Sequence, residues 1–186
     1  MAATPDSLTR LGELLRERSV RHGDFVLASG RHSTFYVDAR LTTMSGEGLV
    51  LIGIVGLEHL AARGWKPAVV GGLTLGADPV AYAIAAAART RGIALDAFSV
   101  RKQPKEHGTG RRIEGCFVPG ASVVVVEDVL TTGRSALEAL AAVEAEGGKV
   151  VGVLTVVDRE EGGRAALEQA GYQVEALLTA LDLGLG

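Results

Sequence analysis

Residues 123–135 read Val-Val-Val-Val-Glu-Asp-Val-Leu-Thr-Thr-Gly-Arg-Ser: four β-branched apolar residues, then two carboxylates, two hydroxyls and a glycine. The valines predict a buried strand over 123–126, because a continuous apolar run suits a strand covered on both faces. Glu127 and Asp128 are expected to leave that strand at the mouth of a sheet, with Leu130 to Ser135 turning into the next helix. Hydroxyls and exposed amides at a helix N-terminus make a cradle for a monophosphate. The carboxylates cannot hold the same anion, since like charges repel, so they must face something hydroxylated, cationic or metal-bound. Solvated helix-start acids are the plain alternative, and four preceding valines argue against it. Acids for hydroxyls and a turn for phosphate together describe a ribose 5-phosphate.

Two further segments carry the right residue types. Gly-Gly-Leu-Thr-Leu-Gly-Ala-Asp-Pro, 71–79, is a glycine-rich turn whose amides can approach a phosphate oxygen at a helix start. It matches neither the dinucleotide fingerprint nor the Gly-Lys-Ser/Thr loop, and a tight connection without a ligand is the competing reading. From Arg101 to Gly115 the chain gathers Arg101, Lys102, Lys105, His107, Arg111 and Arg112. Only four lysines occur in the whole chain, and two of them fall here with a histidine, which sets this segment apart from a random solvated charge run. With no apolar anchors of its own it reads as a mobile lid that closes over a polyanion and neutralises a leaving group.

The elements that must position these residues follow from periodicity. Leu8, Leu11, Leu14 and Leu15 predict an amphipathic helix over 7–21, and 25–38 predict two short extended runs. A largely buried helix follows Ser45 and closes at Gly64. Strands are then expected at 68–71, 95–101, 123–126, 149–157 and 173–178. Helices fall between them, through Arg91 with Asp78 as N-cap and Pro79 as first helical residue, over 134–146 and near 163–170. Apolar strands alternating with helices imply an α/β fold with a central parallel sheet flanked by helices and ligands at the strands' carboxyl ends. Residues 1–44 break the alternation and are read as a hood over that end, 45–186 as the core, the whole as one domain.

Composition sets limits. A chain of 186 residues with 47% apolar content fits one sizeable core. The net charge of −3 and pI near 5.8 give no basic footprint for nucleic acid or membrane. Cys116 is the only cysteine, so no intrachain disulfide forms, and the absence of an N-terminal targeting pattern makes the cytoplasm the expected location. His22, His32 and His59 form no metal constellation by spacing.

The stretch 123–135 resembles the phosphoribosyl-diphosphate (PRPP) motif of type I phosphoribosyltransferases. That resemblance implies the type I fold, with Glu127 and Asp128 on the ribose hydroxyls and Val129, Leu130, Thr131, Thr132, Gly133, Arg134 and Ser135 around the 5-phosphate. Arg-Lys-Xxx-Xxx-Lys-Xxx-His-Gly at 101–108 resembles the catalytic loop of the orotate phosphoribosyltransferase family. Residues 25–40 resemble that family's cap segment, and Val-Val-Asp-Arg, 156–159, its orotate-binding strand end. The resemblance implies displacement of diphosphate from PRPP by a ring nitrogen of orotate. Lys105 and His107 would stabilise or protonate the diphosphate, with Asp128 as the third catalytic residue and Arg101 and Lys102 as further phosphate contacts. Arg159 would meet the orotate carboxylate, with Thr131 and Tyr36 against the base. Mg²⁺ held mainly through PRPP is implied, with no dedicated protein ligand, as is a homodimer whose 101–115 loops are shared.

Departures from the family pattern are Ala28, Leu75 and Gly76 where some members carry Lys or Tyr-Lys, and Glu127 for the commoner Asp. A purine phosphoribosyltransferase would share the PRPP motif without needing Arg159 or the basic loop. A non-catalytic PRPP- or nucleotide-binding regulator is the rival of another class.

Overall fold

A computed structural model of the chain describes residues 5–26, 32–103 and 112–185. Helix α1 (Pro5–Arg18) completely buries Leu11, Leu14 and Leu15, the stripe that predicted it. It ends three residues before the expected Arg21, because after Leu15 no apolar residue follows on the same face until Val20, and Val20 pairs instead with Val37. Strand β1 (Val20–Val26) and strand β2 (His32–Val37) form an antiparallel two-stranded sheet, so the extended run starts five residues earlier than expected. A short helix α2 (Arg40–Thr43) follows, and Ser45 caps α3 (Gly46–Ala62), its Oγ accepting from the Gly48 amide at 3.1 Å.

The chain then builds β3 (Val69–Leu73), α4 (Ala77–Thr90), β4 (Asp96–Val100), β5 (Ile113–Gly115), β6 (Ser122–Leu130), α5 (Arg134–Ala145), β7 (Lys149–Asp158), α6 (Gly163–Gln169) and β8 (Val174–Thr179). These strands form one six-stranded sheet in the order β5-β4-β3-β6-β7-β8, parallel except for β5. Three expectations need correction. Residues 113–115 are not part of a free loop: they pair antiparallel with β4, and Ile113 is buried. Asp78 does not cap α4, whose N-cap is Gly76; it lies in the first turn, where its Oδ1 accepts from Ser99 Oγ at 2.7 Å. Glu127 and Asp128 do not leave β6, because the parallel ladder with β7 continues from Glu127 opposite Thr155 to Leu130 opposite Asp158.

Strand β6 is central because both its faces are covered. Val124 and Val126 join the layer made with α3 and α4 through Val55, Leu60 and Ile84; Val123 and Val125 join that of α5 and α6 through Leu140, Val143 and Leu167. All four valines are at most 1% exposed, and each such burial contributes roughly 1.5–3 kcal/mol. Helix α3 lies close on α4 because Gly53 has no side chain; a Cβ there would meet the Ala83 carbonyl oxygen.

The topology fixes where a ligand goes. From β3 the chain winds outward to β4, and β6 then lies on the other side of β3. The crevice at the carboxyl ends of β3 and β6 is therefore the topological switch point, the usual ligand position in such sheets.

Candidate functional site

A cleft of about 320 Å³ opens at that switch point. Its walls come from three parts of the chain: Tyr36 to Arg40 at the end of the hairpin, Leu73 to Gly76 at the end of β3, and Glu127, Asp128, Val129, Thr131 and Ser135 along β6 and its turn, together with Lys102 and Arg159. A smaller cavity of about 40 Å³ adjoins it over Val129–Ser135 and adds Leu130, Thr132, Gly133 and Arg134. Gly133 precedes α5 in the left-handed region at φ 80°, and a Cβ there would press on the Gly163 backbone, so glycine shapes this turn.

The two acids are not equivalent. Glu127 is 6% exposed, and Asp128 is only partly buried. Burial, and then the neighbouring Asp128 carboxylate, hold the Glu127 pKa well above the ordinary glutamate range, which Lys102 only partly offsets. The Asp128 amide donates to Glu127 Oε1 at 3.3 Å, and Asp128 Oδ1 accepts from the Val129 amide at 2.9 Å. Both carboxylates are thus oriented by the backbone of their own strand.

Arg159 is not a solvated member of an acidic cluster. It is 6% exposed, its guanidinium lies 4.6 Å from the centre of the Phe35 ring, and Nη2 donates to Ser33 Oγ at 3.2 Å and pairs with Glu161 Oε1 at 2.7 Å. Its buried Nε has no hydrogen-bond partner among the described residues. Tyr36 is 40% exposed on the cleft wall and packs against Phe25 at 5.8 Å.

The basic segment divides. Lys102 lines the cleft, whereas Arg101 is turned toward Glu114 at 3.8 Å and is not among the cleft-lining residues. Arg112 donates to Glu138 at 2.6 Å and to the carbonyls of Arg101 and Lys102. Lys105 and His107, like Ala28, lie outside the described residues. One cation in the cleft was not singled out from sequence: Arg40, held in a two-point hydrogen bond by Asp38 at 2.8 and 3.0 Å, which in turn lowers the Asp38 pKa. The two-residue spacing in Asp-Ala-Arg was the only signal available for it.

A family model for the phosphoribosyl transferase domain matches residues 57–170. An orotate phosphoribosyltransferase of Mycobacterium avium (strain 104) is 50% identical over 179 residues, covering 96% of this chain and 97% of the relative. One of Aquifex aeolicus (strain VF5) is 45% identical over 94% of this chain and 96% of its own. The crystal structure of Mycobacterium tuberculosis H37Rv orotate phosphoribosyltransferase in complex with PRPP superposes with a TM-score of 0.82 at 46% identity, covering 96% of this chain and 99% of that one. The chain belongs to the orotate phosphoribosyltransferase family.

Within the orotate phosphoribosyltransferase family, the Leu75-Gly76 departure has a steric counterpart here. A Cβ at Gly76 would meet both carboxylate oxygens of Asp128, so this chain's Asp128 occupies space that a side chain at 76 would need. Gly76→Ala is expected to displace that carboxylate and lower kcat/KM by about tenfold, the scale on which a small misplacement near a reacting centre acts. Steady-state kinetics beside a thermal melt would check this; unchanged kinetics would show that Asp128 moves aside at no cost.

Proposed function

We infer that the chain transfers ribose 5-phosphate from PRPP to orotate, giving orotidine 5′-monophosphate and diphosphate, a reaction of pyrimidine biosynthesis. The observation that carries this reading is the meeting, in one cleft, of the Glu127–Asp128 carboxylates, the 131–135 turn and the buried Arg159 guanidinium, whose Nε has no hydrogen-bond partner among the described residues. An arginine whose planar fork is fixed in place suits a planar anion bearing a carboxylate. A purine base would have no use for it, and a nucleic-acid-bound regulator would need a basic face that a pI near 5.8 does not supply.

In the reaction a ring nitrogen of orotate attacks the anomeric carbon as the bond to diphosphate breaks; the bonding electrons leave with the diphosphate, and the nitrogen's proton passes to the diphosphate or to water. Positive charge then develops on the ribose ring and negative charge on the leaving group. Glu127 and Asp128 take the ribose hydroxyls and face the positive charge; the backbone amides and hydroxyls of Thr131 to Ser135 take the 5-phosphate. Lys102, Lys105 and His107 are assigned to the diphosphate, which Lys105 or His107 stabilises or protonates, and Arg101 would contact it from a neighbouring subunit. Thr131 and Tyr36 lie against the base.

Mg²⁺ fits this arrangement, because Glu127 and Asp128 offer hard carboxylate oxygens at the cleft wall, the donor class this ion takes. It would be held mainly by PRPP's own oxygens. When bound it neutralises charge on the leaving diphosphate.

The apolar core shared by Leu11 and Leu15 of α1 with Val55 and Leu60 of α3 supports reading 1–186 as one domain, 1–44 contributing the hood and 45–186 the α/β core. We place it in the cytoplasm as a homodimer with the 101–115 segments shared between subunits. Arg101, which pairs with Glu114 and does not line its own chain's cleft, would make its phosphate contact in such a neighbour. Among the described residues no helix is long and apolar enough to cross a membrane.

The test is loss of orotate absorbance with PRPP and Mg²⁺, with adenine, guanine, hypoxanthine and uracil run in parallel for diphosphate release. Turnover confined to orotate is expected, and turnover of a purine instead would sink the Arg159 assignment. Lys105→Ala is expected to cut kcat by about 10²-fold with the fold intact, the usual scale for a general acid or charge-stabilising group. Near-normal kcat would remove Lys105 from the mechanism.

A further inference from the structure

We propose that Glu161 is a positioning residue for orotate binding, holding the Arg159 guanidinium in the orientation that receives the base's carboxylate. This deepens the assignment of Arg159 made above and rests on it.

A guanidinium is planar and presents its donors in a fixed fork, so its usefulness depends on how its plane is set. Three contacts set it here. Phe35 takes the face at 4.6 Å, Ser33 Oγ accepts from Nη2 at 3.2 Å, and Glu161 Oε1 forms an ion pair with Nη2 at 2.7 Å. Nη2 therefore carries one hydrogen bond and one ion pair, while the buried Nε has no hydrogen-bond partner among the described residues. A buried donor left unmet is unfavourable, so a ligand acceptor that met Nε would gain from it.

Glu161 reaches an arginine only two residues earlier because the chain reverses at Glu160, whose φ is 57°. A non-glycine residue in that region is uncommon and must be held by its surroundings. Asp158, 1% exposed, holds it: Oδ1 accepts from the Glu160 amide at 2.9 Å, and Oδ2 accepts from Arg164 Nε at 3.0 Å. The Glu160 carboxylate accepts from the Leu181 amide at 3.1 Å and pins the turn from its other side. The Asp-Arg-Glu-Glu run is thus a built turn whose last residue points back at the guanidinium.

Glu161 is not among the cleft-lining residues, whereas Arg159 is. It acts through Arg159 without touching substrate. The paired side chains are 4% and 16% exposed, so Glu161 also compensates the buried positive charge when no carboxylate is bound. A buried guanidinium without that partner would swing toward water or draw water in.

The test is a double-mutant cycle read in steady-state kinetics, with Arg159→Ala, Glu161→Ala and the pair. Glu161→Ala is expected to raise the KM for orotate about tenfold or more and to leave the KM for PRPP within about twofold. In the Arg159→Ala background the same change should add nearly nothing, a coupling that a merely structural residue would not show. Glu161→Gln keeps the acceptor oxygen and should recover part of the loss; it also carries the test if the alanine variant does not fold. An unchanged orotate KM in both Glu161 variants, equal effects on both substrates, or additivity in the cycle would overturn the proposal while the Arg159 assignment stands. If Arg159→Ala itself leaves orotate KM unchanged, the assignment fails and takes the proposal with it.

Discussion

Replacing Arg159 by alanine is expected to raise the KM for orotate by about 10²-fold or more while the KM for PRPP stays nearly constant. The size follows from burial. The guanidinium sits where solvent cannot compete, between Phe35, Ser33 and Glu161. A charge-assisted bond there discriminates strongly, since its loss leaves the ligand's carboxylate desolvated and unmet. Arg159→Lys should fall between the two, because an ammonium supplies charge without the planar fork. Separate titrations of orotate and PRPP distinguish this from a general loss of structure: comparable increases in both constants would mean that Arg159 serves the fold rather than the base.

Glu127→Gln should move activity and stability in opposite directions. Loss of the carboxylate opposite the developing ribose charge is expected to lower kcat by about 10²- to 10³-fold. Stability should rise at neutral pH, on the order of 1 kcal/mol, as is common when a site residue is relieved of a functional constraint. The sign follows from linkage. Burial and Asp128 raise the Glu127 pKa above its unfolded value of 4.5, so the folded state binds the proton more tightly than the unfolded state does. The native protein therefore loses stability as pH climbs from 4.5 toward the raised folded value, and the glutamine variant does not lose that increment. Urea melts at stepped pH should show the two proteins converging below about pH 4.5 and diverging above it. A glutamine variant less stable at pH 7 would mean that the ionised carboxylate is itself stabilising.

The parallel sheet was legible because Val123 to Val126 form an apolar run that only a strand covered on both faces can use. The continuation of that strand through Glu127 to Leu130 was not, because the ladder to β7 is made by backbone groups and leaves no trace in side-chain polarity. The same reason hid β5, three residues on the sheet edge with one buried side chain. Asp78 before Pro79 has the chemistry of a helix cap, but Ser99 on a neighbouring strand claims its carboxylate. Arg159 was legible as a candidate through family resemblance, yet its burial was not, since Asp-Arg-Glu-Glu reads as solvated until Phe35 and Ser33 are folded over it. Arg40 needed the cleft itself to be noticed.

The cleft is unevenly assembled. One unbroken stretch, 127–135, supplies the acids and the phosphate turn, whereas Tyr36 and Arg159 come from segments more than a hundred residues apart in sequence, joined by a bond from Arg159 to Ser33. The two halves therefore respond differently to substitution. Residues of the contiguous half cannot drift one at a time without disturbing their neighbours on the same strand and turn. A substitution in the dispersed half is expected to alter the Tyr36–Arg159 end of the cleft while leaving the 127–135 stretch in place.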